Sequence, residues 1–255
     1  MNRVNYKDLR KWINDNGQQL YEELQEFWET DFPHPRINIT TSGGTGYSSL
    51  DSGIYLNVNQ ISGLIDHEIR HGLYDTVDKG LRTIFGEETT HYLNDKSASQ
   101  NIQRADDIRI QAYKERSPRL LLNSVSVGGQ VEGIAKIGSQ EVSGVHPNFD
   151  HLLSVLDMLN NTRQSLDAFD SNISKIDTEI ATGMLLKMAI KVHRYVTSVA
   201  GVRIVDIFRD RYNGKFGELI RADLKPDQGL DSILIETIRR VPEFNRVYKY
   251  FNIQV

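Results

Sequence analysis

The sequence predicts an α+β fold: a small mixed sheet with helices around it, followed by a mainly α-helical C-terminal part. Two short stretches, Arg36 to Thr41 and Gly53 to Val58, have the alternation or the β-branched and aromatic content of strands. Segments on either side, Tyr6 to Trp28 and Gln60 to Thr76, carry apolar residues near the 3.6-residue period of a helix. Beyond Pro147 the pattern is helical.

Leu9, Trp12, Ile13, Leu20, Tyr21, Leu24, Phe27 and Trp28 mark one face of the first helical segment, whose period breaks around Asn14 to Gly17. One interrupted helix or two short ones are therefore expected. A turn over Asp31 to Pro35 leads into the first strand, where Ile37 and Ile39 share a side. Thr41 to Ser49 (TSGGTGYSS) lacks the lysine and spacing of a phosphate-binding loop and reads as a hairpin loop. The second strand runs into a helix over Gln60 to Thr76, with Asn59 as a fair N-cap. A connector containing Gly80 and Gly86 then precedes a helix over Ser97 to Arg116, which Ser117-Pro118 ends. Ser124 to Gly144 is Gly-rich and alternating, compatible with a hairpin, a loop or a boundary. The expected organisation is a core over residues 1–124, a Gly-rich connector or hairpin over 125–146, and a helical part over 147–255 packed on the core as one unit.

Composition narrows the chemistry. The chain has 255 residues, 39% hydrophobic and 25% charged, which is ordinary globular composition. It has no cysteine, so thiolate catalysis and cysteine-held metal are excluded and any transition-metal site must use His and carboxylates. No long apolar run encodes a membrane span, and the first thirty residues lack the pattern of a secretion signal, so a cytoplasmic location is expected. A formal charge of -4 disfavours nucleic acid as a partner. The short basic cluster Arg239, Arg240, Arg246 and Lys249 reads as a solvated helix face.

The segment that carries chemistry is His67-Glu68-Ile69-Arg70-His71. Two histidines four apart on a helix place both imidazoles on one face, one turn apart, as a tetrahedral Zn2+ requires of two nitrogen donors. Glu68 follows the first histidine by about 100° around the helix, placed to act on water at the metal as general base. A catalytic zinc brings the pKa of bound water toward about 7 and polarises a scissile carbonyl. Glu68 would take the proton and hand it to the leaving amine. The structural alternative is a pair of surface or capping histidines with Glu68 in an ion pair.

A third ligand must come from elsewhere, because Tyr74 and Val77 stand where a glycine-plus-histidine continuation would place its residues. Candidates are Asp75, Glu87, Glu88, His91, Asp106 and Asp107. On a helical projection Asp106 lies on the inner arc between Tyr113 and Ile110, whereas Asp107 points outward. An Asp106 to Arg109 ion pair would satisfy the same carboxylate. The stretches HEIRHGLYDT and QRADDIRIQ resemble the metallopeptidase-like domain associated with von Willebrand A domain proteins, of the cobaltochelatase T-subunit type and phage relatives. The resemblance covers roughly Gly53 to Asn123, with a weaker echo over Thr178 to Val196. It implies a zincin-like core, with zinc on His67 and His71, base Glu68, and the acidic pair Asp106 and Asp107. Asp106 is then the third ligand and Asp107 its fallback, although Asp106 and Gln111 both stand where the family has Glu.

The expected function is zinc-dependent hydrolysis of a peptide or protein substrate, with Arg109 as transition-state or structural support. Tyr113, His91, His146 and His151 are further candidates for the oxyanion role. The strand Gly53 to Val58 is expected to offer an edge to an extended substrate. The alternative is a zincin-like scaffold that binds a protein partner or assembly, beside an ATPase or phage-encoded; in that case the location is host cytoplasm or virion.

Overall fold

The computed structural model describes residues 4–146, 156–172, 178–241, 246, 247, 249 and 250. Helix α1, Tyr6–Trp28, starts on a capping box in which the Asn5 side chain accepts from the backbone N–H groups of Lys7 and Asp8. It is continuous through Asn14 to Gly17, where an interruption was expected. Gly17 is buried, and its missing side chain leaves room for Ile13 and the Phe85 ring.

The sheet has three strands in the order β1-β3-β2: β1 is Arg36–Thr40, β2 is Gly46–Ser48 and β3 is Gly53–Asn57. β1 runs parallel to β3 and β2 antiparallel to it, so the sheet is mixed, as the sequence predicts. Ile54 and Leu56 of the central strand are fully buried. Asn57, two residues before the expected cap, closes the strand and caps α2, Val58–Arg70, by accepting from Asn59 and Gln60 N–H. Helix α2 ends earlier than the periodicity suggests because Gly72 turns left-handed at φ +78°. Its N–H then reaches back to Ile69 O, and Leu73 N–H to Glu68 O.

The expected connector is instead helix α3, Val77–Ser97, capped by Thr76. Helix α4, Gln100–Glu115, follows after a break at Ala98. The Gly-rich stretch over 125–146 is neither connector nor hairpin: helix α5, Pro118–Ser143, runs through nearly all of it. Its glycines sit where neighbouring helices come close. Side chains at Gly128 and Gly129 would press on Thr197 and Ala200, and one at Gly138 would press on Thr90. Helices α6, Leu156–Asn172, α7, Thr178–Tyr212, α8, Phe216–Ile220, and α9, Asp231–Arg239, complete the described chain.

The chain forms two compact units assembled from non-contiguous segments. The first comprises Met1–Gln100, Gly133–Pro147 and Val205–Asp223; its core holds Leu24, Trp28, Ile54, Phe85, Ile137 and Phe208. The second comprises Asn101–Glu132, Asn148–Ile204 and Leu224–Val255, with Val125, Leu166, Val196 and Leu234 at its centre.

Candidate metal centre

The buried line of α2 runs Ile61, Ile65, Glu68, so the carboxylate occupies the next core-facing position of an apolar stripe. Only 2% of Glu68 is exposed. A carboxylate at such a position is costly unless polar or charged groups meet it. The His67 and His71 rings lie side by side, their centroids 4.4 Å apart and tilted by 38°. His67 Nδ1 is 3.5 Å from Glu68 Oε1 and is a buried ring nitrogen without a hydrogen-bond partner. Arg70 stays outward as expected, its guanidinium on Asp66 at 3.2 Å.

Two adjacent imidazoles, one with an orphaned buried nitrogen, and a carboxylate beside them are the donor types a zinc ion takes. The fit extends to these α2 residues. The third donor expected from the sequence, Asp106, carries a half-exposed side chain that pairs with Arg109 at 2.7 Å. This is the ion pair weighed against ligation in the sequence. The inner arc assigned to Asp106 is shifted, because Ile110 is 48% exposed while Asn101, Ala112 and Tyr113 are buried. Asp107 is exposed, as the projection indicates. Arg109 is mostly buried and its Nε has no hydrogen-bond partner. His146 is exposed, and His151 lies outside the described residues.

Immediately beyond α2, Tyr74 is buried against Ile65 and Gly80. Burial raises its hydroxyl pKa above the usual range, and the charges of Glu87 and Glu68 raise it further. Glu87 and His91, four apart on α3, have ligand atoms within 4.8 Å of each other. Burial works to raise the Glu87 pKa, but the ammonium of Lys136, bonded to it, and His91 hold it below the usual carboxylate range. Glu87 and His91 were among the sequence candidates, whereas Lys136 was missed. Its position is hidden inside a segment whose glycines read as loop.

The expected substrate edge is overturned. β3 is central and paired on both sides, so it offers no free edge. β2 is an edge strand, but its Tyr47 N–H donates to Glu88 Oε2 of α3 at 2.7 Å. Among the described residues no helix is long and apolar enough to cross a membrane. Two members of the C-terminal basic cluster pair with acids: Arg240 meets Glu236 at 3.1 Å, and Arg246 meets Asp167 at 2.7 Å and also Asp170.

Comparison with protein-family models, with curated proteins and with solved structures finds no match.

Proposed function

We propose that this chain is a zinc-dependent peptidase whose metal is held by His67 and His71. The observation that carries this reading is the paired imidazoles at the end of α2, one with a buried, unbonded Nδ1, beside the buried carboxylate of Glu68. Zinc bound there supplies Lewis acidity toward a peptide carbonyl and toward water. Glu68 accepts the proton of the attacking water and passes it to the departing amine, a role favoured by its fixed position in a water-poor environment. Asp106, which pairs with Arg109 in the structure, is the third donor only as the sequence resemblance implies it, with Asp107 as its alternative. Arg109 then provides a cation for charge developing on the substrate.

The Tyr47 N–H of edge strand β2 is taken by Glu88 and is not offered to an extended substrate, which favours a second reading, a zincin-like module that binds zinc and a protein partner without hydrolysis. Metal analysis of protein purified without chelators, with cleavage of an unstructured casein-type substrate, separates the two. For the peptidase, His67→Ala and His71→Ala lose zinc, while Glu68→Gln keeps zinc and loses cleavage by about 10²-fold or more. Zinc without Glu68-dependent cleavage selects the module. Metal content indifferent to both histidine substitutions overturns both readings.

A further inference from the structure

We propose that Asn213 is a site of spontaneous deamidation, converting without an enzyme to aspartate and isoaspartate. The sequence has two Asn-Gly dipeptides, Asn16-Gly17 and Asn213-Gly214, and asparagine is among the thermally labile residues. A following glycine opens the route because no Cβ shields its backbone nitrogen. The fold treats the two dipeptides differently.

Asn16 and Gly17 lie inside α1, where the Gly17 N–H belongs to the helical ladder and Asn16 Nδ2 donates to Trp12 O at 2.9 Å. Gly17 is also buried. Asn213 and Gly214 instead form the exposed turn that follows α7. Lys215 N–H closes this turn on Tyr212 O at 2.8 Å, and Asn213 and Gly214 sit at φ +38° and +85°, the signs of a type I′ turn. Neither the Gly214 N–H nor the Asn213 side chain meets a hydrogen-bond partner among the described residues. Nothing lies within 4 Å of where a Cβ on Gly214 would be. Both reacting groups can therefore approach without breaking a bond or unfolding an element.

Attack of Gly214 N on Asn213 Cγ forms the new C–N bond of a succinimide ring. The Cγ–Nδ2 bond breaks, and ammonia leaves with the proton that Gly214 N gives up. Water then opens the ring: at Cγ it yields aspartate, and at the Asn213 carbonyl carbon it yields isoaspartate, whose main chain is longer by a methylene. Water is the one co-reactant. Aspartate keeps the turn, since Asp also adopts positive φ. Isoaspartate displaces the start of α8 just beyond it, where Phe216 stacks on Phe27 with ring centroids 4.7 Å apart.

The test holds the full chain in warm, mildly alkaline buffer, folded and in urea, and follows both Asn-Gly pairs by peptide mass spectrometry. In urea the two should convert at similar rates. In the folded chain Asn213 should convert at least about tenfold faster than Asn16, with isoaspartate among its products. The converted chain should melt lower than fresh protein, whereas Asn213→Gly, which accepts the positive φ and cannot deamidate, should hold its melting temperature over the same incubation. Conversion of Asn213 as slow as that of Asn16 in the folded chain, or of neither pair, overturns the site. An equal fall in melting temperature in wild type and Asn213→Gly overturns the effect on α8.

Discussion

His193 is completely buried in the second unit, where its Nε2 lies 3.0 Å from Ser124 Oγ. The Ser124 hydroxyl donates to Ala105 O, so its oxygen accepts from a protonated Nε2 and the ring is held neutral. Burial, then the nearby charges of Arg109 and Arg194, depresses its pKa from 6.5 to about 3. The unfolded chain takes up this proton near pH 6.5 and the folded chain only near 3, so between those values stability falls as pH falls. From pH 7 to pH 5 this one group should lower unfolding free energy by about 2 kcal/mol. Urea melts at both pH values test it: His193→Gln retains a donor toward Ser124 but cannot titrate, and should lose about that much of the pH dependence. An equal acid sensitivity in wild type and variant would exclude His193 as its source.

Helix packing is where the glycines act. A Cβ on Gly138 of α5 would run into Thr90 Oγ1 of α3 and come within 3.0 Å of Trp28 Nε1. Thr90 and Trp28 are both fully buried and have no room to retreat. Gly138→Ala therefore gains roughly 1 kcal/mol of helix propensity but loses more to overpacking, for a net destabilisation of about 1–2 kcal/mol. Thr90→Ala in the same chain removes the obstructing hydroxyl and should restore much of it, as a denaturant double-mutant cycle would show. The same glycines explain what the sequence conceals. Helix α2, strands β1 and β3, and the histidine spacing are legible because each rests on local periodicity or a local cap. Helix α5 is not, since glycine reads as a breaker until Thr90, Thr197 and Ala200 are known to lie against it. Lys136 was hidden with it, and so was its pairing with Glu87. The central place of β3 likewise depends on the three residues of β2, too short a strand to recognise within TSGGTGYSS.

At the scale of the whole molecule, the first unit depends on chain segments far from its N-terminal hundred residues. Lys136 of α5 neutralises the half-buried Glu87. Phe216 of α8 stacks on Phe27 with centroids 4.7 Å apart, Ile220 O accepts from Asn94 Nδ2 at 3.1 Å, and Arg221 donates to Glu29 O at 2.9 Å. Ile134, Ile137, Phe208, Leu219 and Ile220 are all nearly inaccessible within this unit. At about 1.5–3 kcal/mol for each large apolar side chain buried, their contribution rivals the entire net stability of a domain, roughly 5–15 kcal/mol. A fragment of residues 1–124 therefore lacks what its helices and sheet need, although the sequence alone marks it as the core. It should show helical circular dichroism, bind a hydrophobic dye and unfold in urea without a cooperative transition, whereas the full chain unfolds cooperatively. Cooperative unfolding of the fragment, with no dye binding, would mean that α1 to α4 and the sheet carry their own core and that Gly133–Pro147 and Val205–Asp223 only add to it.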